Sequence, residues 1–242
     1  MNITKRPSPN FDNRPARVGP SVLVLHYTGM ESTQEALERL RDPASHLSAH
    51  YFVTEGGEVF QLVDEAKRAW HAGVSHWRGE HSINDISIGI ELANPGHEFG
   101  YTPFPKPQMA SLAELCVDIV RRHAIEPINV VGHSDVAAGR KQDPGELFDW
   151  QRLAQRGVGL WLGELHDFPG QGLETESAKT DWAALQIKMR ALGYGLSISG
   201  QADRETRDAL TAFQRHWRPQ RVTGNADSHC LEVLGALLEV TT

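Results

Sequence analysis

A chain of 242 residues has room for one large domain, or for a medium one plus a small one. Its 31 acidic against 24 basic residues leave a formal charge of −7, which argues against a nucleic-acid partner, because a phosphate backbone is gripped by a basic surface. With 40% hydrophobic residues and no apolar run near ~20 residues, the composition is that of a globular protein without a membrane span.

The opening segment, MNITKRPSPNFDNRPARVGP, lacks the apolar stretch of roughly 7–15 residues that marks a secretory signal. A cytoplasmic protein is therefore expected, or a periplasmic one if the native N-terminus has been trimmed. SVLVLHYT, residues 21–28, predicts a buried strand rich in β-branched residues and leucine. STQEALERLRD follows with a Ser/Thr cap and helical spacing through Leu37 and Leu40. HYFVTEGGEVFQLVD predicts a hairpin about Glu55-Gly56-Gly57, and DISIGIEL a further strand. After the proline-rich TPFPKPQ, MASLAELCVDIVRRHAI is amphipathic at helical spacing, with Cys116 among its apolar residues. INVVGH is a short buried strand that runs into the charged stretch GHSDVAAGRKQDPG, residues 132–145. This mixture implies an α/β domain with a central sheet covered by helices. The polar, glycine-containing DFPGQGLETESAKT, residues 167–180, reads as a linker. Beyond it WAALQIKMRALGYG, ETRDALTAFQRHW and CLEVLGALLEV predict three helices. The two cysteines, Cys116 and Cys230, fit a reducing compartment and core positions.

Strand ends locate the candidate chemistry. His26 closes VLVLH and His133 closes INVVGH, and ligand sites in α/β sheets lie beyond the carboxyl ends of strands. Asp143 follows His133 by ten residues and can fold back from the loop. Two imidazoles and a carboxylate, with a fourth position open, are a zinc set of the catalytic kind. Period-2 alternation puts Glu91 on the strand face of Ser87 and Gly89, where it serves either a cleft or solvent. Lys141 and Asp143 equally suit a surface ion pair, and Asp143-Pro144-Gly145 a plain turn. Among 12 histidines, spacing alone leaves the metal and the bland readings open.

In combination the motifs say more. VLVLHYT, AWHAG, SIGIELAN and GHSDVAAGRKQDPG, in that order and spacing, resemble the zinc-dependent N-acetylmuramoyl-L-alanine amidases of the AmpD/AmiD type, across roughly residues 8–166. The resemblance implies a central mixed β-sheet flanked by helices. It implies His26, His133 and Asp143 as zinc ligands, Glu91 as the residue that activates water, and Lys141 as the stabiliser of the oxyanion. Phage and animal relatives often have Cys as the third ligand; aspartate points to the bacterial branch. The bond expected to be cut joins N-acetylmuramic acid, in its 1,6-anhydro or ordinary form, to L-alanine of the stem peptide. His50 matches a position where phage relatives carry a catalytic tyrosine, so it is expected to line the cleft. Arg140 is expected to pair with a stem-peptide carboxylate. Trp70 and His71 of AWHAG are expected to be structural, and His46, His76, His81, His97 and His123 structural or on the surface.

LQIKMRALGYG, GQADRETRDALTAFQ and VTG resemble the three-helix peptidoglycan-binding domain, with Leu185, Leu192, Leu210 and Phe213 as its core. The expected division is thus a catalytic domain over 1–166, a linker over 167–180 and a helical domain over 181–242. A wall-binding module suits an enzyme acting on sacculi, whereas the missing signal suits one that recycles soluble muropeptides. A non-catalytic peptidoglycan receptor on the same fold is the rival reading, and the full set of ligand positions with Glu91 and Lys141 weighs against it.

Overall fold

A computed structural model of the chain describes residues 1–163 and 180–241. Apart from Thr180, the linker expected over 167–180 lies outside the described residues. The strands are β1 (Ile3–Lys5), β2 (Phe11–Asn13), β3 (Val22–Tyr27), β4 (Tyr51–Val53), β5 (Val59–Gln61), β6 (Lys67–Ala69), β7 (His76–Trp77), β8 (Glu80–His81), β9 (Ser87–Leu92) and β10 (Val130–Gly132). The helices are α1 (Thr33–Arg41), α2 (Lys106–His123), α3 (His133–Val136), α4 (Trp150–Ala154), α5 (Trp182–Leu192), α6 (Arg204–Trp217) and α7 (Ser228–Thr241).

Six strands form one mixed sheet in the order β1-β5-β4-β9-β3-β10. The predicted hairpin is its antiparallel pair β4–β5, whereas β4, β9, β3 and β10 run parallel. Polar, very short β1, β2, β6, β7 and β8 carry no readable alternation and were not anticipated. The helices begin where local chemistry satisfies their free N–H groups. Ser32 Oγ accepts from Glu35 N–H at the start of α1, and Asp181 and Asp203 carboxylates cap α5 and α6 in the same way.

Alternation along the central strands divides the interior in two. Leu23, Leu25, Ile88, Ile90 and Leu92 face α2, where Leu112, Leu115 and Cys116 meet them. Val22, Val24 and Val131, on the opposite face, share a core with Leu185, Met189, Leu210 and Phe213 of the C-terminal helices. The six-stranded sheet and the helical segment are therefore joined by one continuous apolar core. The β7–β8 hairpin strengthens the joint. Trp77 meets Tyr194 edge-on at 5.3 Å, and Arg78 N–H donates to Gly193 O at 2.9 Å. Cys116 and Cys230 are both free and buried.

A shared core predicts shared unfolding. Leu210 is fully buried in it, so Leu210→Ala should cost about 2–5 kcal/mol. Denaturant titration followed by far-UV circular dichroism and tryptophan fluorescence should give coincident single transitions in both proteins; separate transitions would show that the halves are energetically independent.

Candidate metal centre and cleft

Strand register assembles the site. In the β3–β9 ladder His26 pairs with Glu91, and in the β10–β3 ladder Gly132 pairs with Leu25. His133 is the next residue after Gly132, so Glu91, His26 and His133 arrive side by side at the carboxyl edge of three adjacent parallel strands. The 133–143 loop then returns, and Ser134 N–H donates to Asp143 O at 2.9 Å. The close return needs Gly132, because a Cβ there would lie 2.7 Å from Pro144 Cδ.

Three donor atoms converge. His26 Nδ1 and His133 Nδ1 are 2.9 Å apart, and each is 3.0 Å from Asp143 Oδ2. All three residues are buried, and together they form the group among the described residues able to hold a metal ion. Burial holds the His26 imidazole down at about 4, and the neighbouring His133 adds to that effect. Burial would push the Asp143 carboxyl up, but His133 and His26 outweigh it and hold the group well below the usual carboxylate range. The result is a neutral imidazole and an ionised carboxylate aimed at one point, a donor set that a divalent cation satisfies.

Outer partners hold the two rings in place. Ala72 O lies 3.2 Å from His133 Nε2, so the ring is held at its outer nitrogen while Nδ1 faces Asp143. His26 Nε2 lies within hydrogen-bond distance of His71 Nδ1 at 3.0 Å, and His71 Nε2 of Ser87 Oγ at 3.1 Å. Such partners orient a metal-ligating ring. His71, expected to be merely structural, is thus the direct support of His26. The signal for it was present in DISIGIEL: Gly89 leaves the space, since a Cβ there would lie 2.5 Å from His71 Cγ.

Glu91 stands beside this triangle. Its Oε2 is buried without a hydrogen-bond partner. Burial raises its pKa well above the ordinary carboxyl value; the Asp143 charge adds to the rise and Lys141 opposes it. Of the two orientations left open, the structure has the cleft. Glu91, Lys141, His133 and Asp143 line one open cleft of about 640 Å³, whose walls include Arg39 and Trp70.

The other expected contacts fall differently. Arg140 borders the cleft, but its Nη2 donates to Ala72 O at 2.6 Å and Val74 O at 2.8 Å. It thereby braces the carbonyl that orients His133. His50 is corrected: it is fully buried and does not reach the cleft. Its Nδ1 accepts from Gly89 N–H at 3.0 Å, and its Nε2 faces Lys67 O at 3.1 Å. The reason is register, because His50 precedes β4 and points beneath the site onto the backbone of β9.

With this geometry in place the chain can be set beside known proteins. Residues 15–146, just over half of the chain, match the N-acetylmuramoyl-L-alanine amidase family, and residues 179–234 match the putative peptidoglycan binding domain. The chain belongs to the N-acetylmuramoyl-L-alanine amidase family and is an amide hydrolase of that type. It is 39% identical over 231 residues to the N-acetylmuramoyl-L-alanine amidase AmiD of Escherichia coli (strain K12), a match spanning 90% of this chain and 82% of that protein. AmiD solved in complex with the substrate anhydro-N-acetylmuramic acid-L-Ala-D-gamma-Glu-L-Lys superimposes with a TM-score of 0.81 at 37% identity, covering 95% of this chain and 93% of that one. AmpDh3 from Pseudomonas aeruginosa, in complex with anhydromuramic pentapeptide, gives a TM-score of 0.81 at 34% identity over 94% of this chain and 95% of that one. Among the described residues no helix is long and apolar enough to cross a membrane.

His50 makes a pH prediction. Its buried ring is held down at about 3, chiefly by burial, whereas the unfolded chain protonates near 6.5. The unfolded state therefore binds the extra proton first, so the stabilisation is complete above 6.5 and is lost as pH falls towards 3, at up to about 1.4 kcal/mol per pH unit. His50→Asn keeps an acceptor for Gly89 N–H and cannot titrate. Urea unfolding at pH 7 and pH 5 should show a shallower loss for the variant; an identical loss would remove His50 from the acid response.

Proposed function

We propose that the chain cleaves the amide between N-acetylmuramic acid, in its 1,6-anhydro form, and L-alanine of the stem peptide, with zinc held by His26, His133 and Asp143. The observation that carries this reading is the convergence of two Nδ1 atoms and Asp143 Oδ2 within 3.0 Å, beside a buried Glu91 oxygen that no protein group satisfies. Imidazole nitrogen with one carboxylate suits zinc, and an open cleft beside it leaves room for water and substrate. The two similar structures that hold anhydromuramyl peptides support the choice of ligand.

Zinc held by His26, His133 and Asp143 would supply Lewis acidity, able to polarise a carbonyl and to bring the pKa of a water down towards ~7. The protein's own groups do the rest. Glu91, with its proton affinity raised by burial, takes a proton from the attacking water as the oxygen adds to the carbonyl carbon. The Lys141 ammonium on the cleft wall stabilises the oxyanion of the tetrahedral intermediate. As the C–N bond breaks, Glu91 returns the proton to the departing L-alanine amine. The products are the free muramyl carboxylate and the stem peptide. Arg140 and His50 act on this reading as supports, the first for the Ala72 carbonyl and the second for the β9 backbone.

The test incubates purified protein with an anhydro-muropeptide and, separately, with intact sacculi, and follows released stem peptide by mass spectrometry. Zinc-restored enzyme should release peptide, and metal-stripped enzyme should not. Glu91→Gln should lower kcat by about 10²–10⁴ and Lys141→Ala by about 10²–10³. Release from the soluble fragment supports recycling in the cytoplasm, whereas release mainly from sacculi assigns the enzyme to wall turnover. No release from either, with zinc bound, would leave a peptidoglycan receptor.

A further inference from the structure

The C-terminal helices touch the ligand loop as well as the sheet. Asp208, Arg215 and His216 lie on one stripe of α6, at i, i+7 and i+8. Each meets the 133–146 loop at a different point. The Asp208 carboxylate packs on Gly139, where any Cβ would collide with it. Arg215 Nη2 donates to Gln142 Oε1 at 2.9 Å, and Arg215 Nε faces Glu146 Oε2 at 3.4 Å. His216 Nδ1 donates to Asp135 Oδ2 at 2.7 Å.

Asp135 is the joint between the two parts. Its side chain is wholly buried, two residues beyond His133 in the short helix α3. Oδ2 also accepts Gly132 N–H at 2.8 Å, while Oδ1 accepts the Tyr194 hydroxyl at 2.6 Å. The carboxylate at the third position of the turn thus reaches back to the residue before it, which fixes where β10 stops and where His133 emerges. A buried carboxylate holding only Gly132 N–H would be poorly compensated. Tyr194 and His216 complete its shell, and the His216 ring is itself held by stacking on Trp150 and Trp217, each 3.7 Å away between centroids. Both donors come from the C-terminal segment.

We propose that this segment is a structural part of the active site: Tyr194 and His216 hold Asp135 as a positioning residue, and through the α3 turn they set the place of His133 in the metal triangle. The inference rests on the metal reading above and extends it. It gives the helical segment a role in the chemistry that is separate from any affinity for peptidoglycan.

The test uses the full chain. Tyr194→Phe/His216→Gln removes both donors with little change in volume, and Asp135→Asn weakens the acceptor. Gln186→Ala is the control: Gln186 is buried and bonded to Ser199, Gln201 and Thr206 within the helical segment, so it costs stability without touching the loop. Zinc affinity by chelator competition, the visible spectrum of the cobalt-substituted protein, and kcat and KM on the muropeptide are measured below the unfolding range of every variant. The double variant and Asp135→Asn should bind zinc about 10- to 100-fold more weakly, with a changed cobalt spectrum and a fall in kcat at constant KM. Gln186→Ala should match wild type in all of these. Wild-type zinc affinity and cobalt spectrum in the double variant would overturn the proposal, as would an equal loss in Gln186→Ala. Those results leave the metal reading intact, whereas a wild-type chain that binds no zinc would overturn both.

Discussion

The pairing of His26 with Glu91 across β3 and β9, and of Leu25 with Gly132 across β3 and β10, governs everything else in the molecule. A slip of one residue in either ladder would turn His26, Glu91 or His133 to the opposite face of the sheet. It would also exchange the valines that meet the C-terminal helices with the leucines and isoleucines that meet α2. The packing that secures the register is therefore the same packing that secures the site. Both faces of the sheet are buried against different partners, which makes the correct register the one that leaves neither core exposed.

Around that register the site is built in layers. The converging atoms are Nδ1, Nδ1 and Oδ2; behind them stand His71, Ala72 O and the returning 143 backbone; behind those stand Ser87, Arg140 and His50. A neutral imidazole suits His26, because its protonated ring would be both desolvated and next to another histidine. The buried carboxylates are treated in opposite ways. Asp143 has histidines to hold its charge, whereas Glu91 has burial and a nearby anion that favour its protonated form. One is suited to hold a cation, and the other to take up and return a proton.

Much of this was legible in the sequence. VLVLH, SIGIEL and INVVGH announced strands with polar residues at or near their ends, and the four motifs in order pointed to the family. What could not be read depended on contacts between distant segments. Nothing local to HYFV shows that His50 turns under the sheet to bond Gly89, and the family position suggested a cleft. His71 looked structural because its partners, His26 and Ser87, are 45 and 16 residues away. The strands β7 and β8 are too short to have a period. The closeness of the C-terminal helices to the catalytic sheet was also hidden, since Leu185, Leu210 and Phe213 would form the core of a free-standing bundle just as well. The helical period shows which residues are inside, but not what else they cover.

The central claim is geometric, and diffraction at the zinc edge tests it most directly. Crystals of the zinc-loaded protein should show one strong anomalous peak bonded to His26 Nδ1, His133 Nδ1 and Asp143, at about 2.0–2.2 Å from each. Glu91 should lie close by without coordinating. A peak at another site, or one bonded through Nε2 of either histidine with His71 and Ala72 displaced, would contradict the account.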